Sequence, residues 1–214
     1  MQDLHEEDRS RNSRDATLRG AGSFALVSLA GFSVWAFAGR WFYRNVGEVG
    51  LYVAIAAVFL GLSGLLLHPL VQGPNRHRRF QSAFLPAFLA YAIVWSAAWF
   101  LLKNKAGEWI GSATGCLAFA TVACLIFRQP RAIPACAAVL FVTHSAGYFI
   151  GDRFMTWLTA PGLASPFPSA TKAQLGTFAK LGWGLFYGLG FGAGLGFTFH
   201  RASRPGRPVP RTEV

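Results

Sequence analysis

Residues 184–197 read "GLFYGLGFGAGLGF". Two folds compete for this stretch. Gly188 to Ala193, "GLGFGA", formally fits the GxGxxG/A fingerprint of a dinucleotide-binding βαβ unit. That fingerprint follows a strand, opens a helix, and has an acidic ribose partner about 20 residues on. Here the preceding residues, "KLGWGLFY", continue the same apolar run, and the chain beyond ends as a basic tail. The helical reading explains the spacing instead. Gly184, Gly188, Gly192 and Gly196 recur every four residues and form one slowly drifting stripe. Gly190 and Gly194 fall on a different face. Such stripes let helix backbones approach closely in lipid. The stretch therefore reads as a membrane helix with two smooth sides. It packs between two neighbours, or between the bundle and an oligomer partner.

The rest of the chain supports a membrane protein. Its 214 residues are 53% hydrophobic and only 14% charged, where a soluble domain carries about 25% charged residues. The apolar residues gather into six runs, 21–39, 49–71, 82–102, 107–127, 132–151 and 176–200. Each approaches the roughly 20 residues that cross a bilayer core as a helix. Backbone in lipid must satisfy its own hydrogen bonds, and the alternation of a membrane β-barrel is absent. The expected fold is an all-α polytopic bundle of six transmembrane helices. Residues 1–20 form a charged tail and residues 201–214 a basic, proline-rich one.

The net charge of +11 points to anionic lipid rather than nucleic acid, since no groove-reading motif accompanies it. Six spans put both termini on one side. That side holds thirteen basic residues, in the two tails and in the loops around Arg76, Arg78, Arg79, Arg128 and Arg131. The other side holds six: Arg40, Arg44, Lys103, Lys105, Arg153 and Lys172. The positive-inside rule then places both termini in the cytoplasm, with the chain in a cytoplasmic (inner) membrane. The fifth loop, 152–175, carries Pro161, Pro166 and Pro168. Its "RFMTWL" either lies at the headgroups as an interfacial segment or belongs to a flexible hairpin.

Ionisable groups inside spans are costly and mark candidate sites. His144 lies well inside the fifth run, flanked by Thr143 and Ser145, with Tyr148 one turn on. Gly147 and Gly151 allow a close neighbour there. Two readings stand for this polar group of His144, Ser145 and Tyr148. One is a proton- or ligand-handling site facing a cavity; the other, the default, is a neutral histidine bonded across helices. Asp152 and Lys180 close consecutive spans on the same side, and Asp152 is expected to form an interfacial ion pair with Lys180 or with its neighbour Arg153. Cys116, Cys124 and Cys136 lack CxxC spacing and read as small buried hydrophobes. His68 and His200 share the opposite boundary with no carboxylate or thiolate nearby, so no metal site is expected. No Walker lysine or CxxCH motif implies a cofactor.

One resemblance bears on catalysis. "GLSG" at 61–64 is similar to the GxSG nucleophile motif of rhomboid intramembrane proteases, and "HSAGYFIG" at 144–151 resembles their HxxGxxxG motif. The resemblance covers twelve residues and implies Ser63 as nucleophile and His144 as base. In rhomboids these motifs lie two spans apart on parallel helices. Here they lie three apart and antiparallel, with a depth offset of roughly 6 Å at the helical rise. Three functions follow, in this order. The first is a non-catalytic membrane-complex subunit, scaffold or assembly factor, working through glycine-mediated packing with a membrane partner or a second copy. The second is a small transporter or channel lined by His144 and Tyr148. The third is a rhomboid-like protease.

Overall fold

The computed structural model describes residues 2–160 and 171–204. Among these residues every regular element is helical. Helix α1 (Gln2–Ser33) runs unbroken from the charged segment into the first apolar run. A π-helical turn, Val34–Ala38, follows, and α2 (Gly39–Asn45) continues the same rod. The remaining long helices are α3 (Glu48–Leu66), α4 (Arg76–Leu102), α5 (Lys105–Ile126), α6 (Ile133–Thr159) and α7 (Lys172–Ala202).

Five segments are long and apolar enough to cross a membrane: Asn12–Asn45, Glu48–Leu66, Arg76–Leu102, Lys105–Ile126 and Pro130–Thr159. Helix α7 has the length, at 31 residues, but its glycines dilute its hydropathy. The exterior suits lipid, with Leu18, Leu26, Phe37, Ile93 and Leu101 all exposed.

Helix ends depart from the edges of the apolar runs because backbone chemistry sets them. The second run ends early, at Leu66, ahead of a 3-10 turn at His68–Leu70. Pro69 has no N–H to continue the α-helical ladder, and the chain tightens into the 3-10 turn there. Helix α4 starts at Arg76, after Asn75 in the left-handed region (φ 53°), and stops at Lys103 (φ 47°). The Asn104 side chain caps α5, accepting from Gly107 N at 3.0 Å. A capping box at Thr171 and Gln174 starts α7. Helix α6 passes residue 151 and runs to Thr159, with no proline to stop it. Asp152, Arg153 and "RFMTWL" are therefore helical. They form neither a separate interfacial segment nor a hairpin. The proline-bearing stretch 161–170 and the tail from 205 onward lie outside the described residues.

Helix α7 lies between α1 and α6, while α4 and α5 form a hairpin that packs through α5 onto α6. Helix α3 leans on α1 and makes few contacts with α4. Glycine decides the close seams. A Cβ on Gly188 would lie 2.6 Å from Ser28 Cβ and 2.7 Å from Ala25 Cα. Gly184 meets Phe32, Gly192 meets Gly20 and Phe24, and Gly196 meets Ala16. All four thus face α1. Gly190 and Gly194 face α6, meeting Gly147, Thr143 and Leu140. Both smooth sides of α7 are covered within the chain. A hydrogen bond crosses the first seam, from Ser28 Oγ to the Gly184 carbonyl at 2.6 Å. Phe24, Phe80, Phe84, Phe119, Phe191 and Phe199 fill the centre and are fully buried.

Candidate functional site

Where α3 stands away from α4, the bundle holds a cavity of about 430 Å³. Its size lies within the range of small-molecule sites, about 300–1,000 Å³. The walls are mostly aromatic: Phe32 and Trp35 from the first rod, Tyr52 and Phe59 from α3, Tyr91, Trp95 and Trp99 from α4, and Tyr148, Trp183 and Tyr187 from α6 and α7. Val53 on α3 and Ile93 on α4 also line it and are exposed, so it opens sideways between these helices.

Simple spacing builds the wall. Tyr91, Trp95 and Trp99 recur every four residues, so α4 presents them on one face. Trp95 and Trp99 stack with centroids 6.2 Å apart. Behind them Gly107, Gly111 and Gly115 form a matching row on α5. A Cβ at Gly111 would lie 3.2 Å from Trp95 Cδ1, and one at Gly115 would lie 2.9 Å from Tyr91 Cδ2. Gly111 and Gly115 thus let Trp95 and Tyr91 sit close against α5, while a Cβ at Gly107 would meet the Ala98 carbonyl oxygen and Leu102 Cβ at 3.0 Å. Gly151 does the same for Trp183, whose Cα would lie 3.1 Å from an added Cβ. Trp35 sits on the π-helical turn.

A buried polar chain lies behind the inner wall. His144 is 0% exposed. Its Nε2 and the Tyr91 hydroxyl are 2.7 Å apart, and Tyr91 Oη is 3.4 Å from Tyr187 Oη. His144 Nδ1 has no hydrogen-bond partner. An orphaned N–H costs more than an orphaned lone pair, which favours the tautomer protonated at Nε2. Nε2–H then donates to Tyr91, and Tyr91 donates to Tyr187. Rings enclose the imidazole, with Tyr148 stacked at 5.9 Å and Phe191 edge-on at 5.5 Å. The cavity reaches Tyr91, Tyr148 and Tyr187 but stops short of His144.

A charged cluster sits at the cavity's edge. Lys105 Nζ donates to Glu108 Oε2 at 2.9 Å and to Asp152 Oδ2 at 3.1 Å. Asp152 is therefore paired with Lys105, rather than with Lys180 or Arg153 as expected. Lys180 points to the first rod, donating to the Trp35 carbonyl at 3.5 Å and lying 5.0 Å from the Trp35 ring. The reason is reach: extending α6 to Thr159 sets Asp152 in the helix body, beside the start of α5.

Other expected groups do not converge. Ser63 Oγ is buried without a hydrogen-bond partner, while His144 Nε2 is held by Tyr91. The nucleophile–base contact that a hydrolase needs is not made. Ser145 Oγ is likewise unpartnered. His68 lies against His77, whereas His200 faces Gln72 and Arg204. The sequence reading passed over Tyr91, Tyr187 and Glu108. Glu108 carried a signal, as an acid inside the fourth apolar run. Comparison with protein-family models, curated proteins and solved structures finds no match to this chain.

Proposed function

We propose that this chain is an integral membrane protein that takes up a small, mostly apolar molecule from the bilayer into the aromatic cavity. It acts as a non-catalytic binding protein or carrier. The cavity between α3 and α4 carries this reading. It has ligand size, an apolar wall and a lateral opening flanked by Val53 and Ile93. Both glycine stripes of α7 are engaged by α1 and α6 inside the same chain, the first of the two readings of that helix, and not by an oligomer partner, which weakens the scaffold reading. The absent Ser63–His144 contact weakens the protease reading in the same way.

We further propose that α7 is a sixth span and that both termini face the cytoplasm. Close packing of α7 between α1 and α6 supports the first. The excess of basic residues at the Arg76 end supports the second.

The test is to fill the cavity. Ala92 lines it from α4 and is half-buried. Ala92→Trp should abolish saturable binding of a small apolar probe, read by intrinsic tryptophan fluorescence in nanodiscs. The protein should still elute as a folded species. Undiminished binding in a folded A92W protein would overturn the proposal.

A further inference from the structure

The charge at the cavity's edge narrows what it takes up. Among the described residues lining it, Glu108 alone carries a charge, and its side chain is only 10% exposed. No lysine, arginine or histidine lines the walls. The walls offer ring faces, whose quadrupoles are negative and attract cations. Two of the wall rings already receive an ammonium from the chain itself. Lys180 Nζ lies 5.0 Å from the Trp35 ring and Lys103 Nζ 5.9 Å from the Phe100 ring. We propose, resting on the cavity reading above, that the site selects organic cations: quaternary ammonium or protonated amine groups bearing apolar substituents.

Lys105 fits this role as a counter-ion that can let go. It bridges two carboxylates, Glu108 and Asp152, so the three groups together carry one net negative charge. Its own side chain is 65% exposed. A cation that reaches Glu108 replaces Lys105 there, and Lys105 keeps its bond to Asp152. No charge is left unpaired in the exchange, which avoids the large penalty of a lone buried ion. An anion would meet Glu108 and the negative ring faces, with only the Trp95 and Trp183 indole N–H groups and the Lys180 and Lys103 ammoniums beside two of the rings to offset them.

The test uses a cation and its carbon isostere. Benzyltrimethylammonium and neopentylbenzene share shape and differ in charge. Both are titrated into the full chain in nanodiscs, with tryptophan fluorescence as the readout. The cation should bind more tightly by about tenfold or more. Glu108→Gln should erase that preference, and Lys105→Met should raise the ratio of cation to isostere affinity. The comparison on the unmodified protein stands even where a variant fails to fold. Equal binding of the two ligands overturns the cation preference and leaves the cavity reading in place. If neither ligand binds, and Ala92→Trp changes nothing, the cavity reading falls as well.

Discussion

Replacing Gly190 by alanine tests the architecture most directly. A Cβ there would lie 2.8 Å from Gly147 Cα and 2.9 Å from Gly147 N, and closer still to the Thr143 carbonyl oxygen. All three are backbone atoms, so no side chain can swing aside. Helices α6 and α7 must part by roughly 0.5–1 Å, which forfeits a quarter to a half of the dispersion at the contacts it opens. Overpacking of this kind costs about 1–3 kcal/mol. Alanine also favours a helix over glycine by about 1 kcal/mol, which blurs a single measurement. Gly61, on α3, removes that ambiguity, because a Cβ there meets nothing within 4 Å. Gly61→Ala should stabilise by about 1 kcal/mol. The propensity gain is common to both variants, so their difference isolates the clash, about 1–3 kcal/mol. Unfolding in mixed micelles titrated with SDS, followed by far-UV circular dichroism, measures it. If G190A and G61A unfold together, α6 and α7 do not approach as described.

Other outcomes follow from the same contacts. Tyr91→Phe removes the one partner of His144 Nε2 and should destabilise by about 1–3 kcal/mol, whereas Tyr187→Phe removes only the long outer contact and should cost less; thermal unfolding compares the two. Gly188→Leu should break the seam with α1 and yield misassembled protein on size exclusion, while a nucleotide shifts no melting temperature. In a background without Cys116, Cys124 and Cys136, a cysteine replacing exposed Lys103 should react with an impermeant thiol reagent in intact cells. One replacing exposed Arg78 should not, and the reverse pattern refutes cytoplasmic termini.

The helical, apolar character of the chain was legible because each run matches the thickness of a bilayer. The helix ends were less so, since apolarity does not stop a helix. Local backbone chemistry does: the left-handed Asn75 and Lys103 bound α4, which still runs through Pro86, and α3 ends before Pro69, whereas α6 continues to Thr159. The four-residue recurrence of glycine was visible, but which neighbour each face meets was not, because that depends on contacts far apart in the chain. The same holds for the cavity. Tyr91 and His144 are 53 residues apart, and nothing local to either announces the other. The row of Gly107, Gly111 and Gly115 had the same four-residue spacing as the α7 stripe.

The cavity lies where the glycine seams stop. On α7, α6 and α5, glycines bring neighbouring helices close enough for backbone to touch backbone or for a ring to sit against the glycine. Helix α3 has no such seam. Gly61 meets nothing, Gly64 meets the Gln81 side chain, and Gly50 meets Val46 and Phe42, just ahead of its own helix. Its main anchor is a side chain, Phe59, seated over Gly31 with Phe24 at 5.5 Å. A helix held by rings can shift by rotamer changes, whereas one held by backbone contact cannot shift without breaking the seam. Any widening to admit a ligand therefore falls on α3. The α1–α7–α6 seams then act as the fixed side, and they hold Trp183 and Tyr187 in place on the cavity wall.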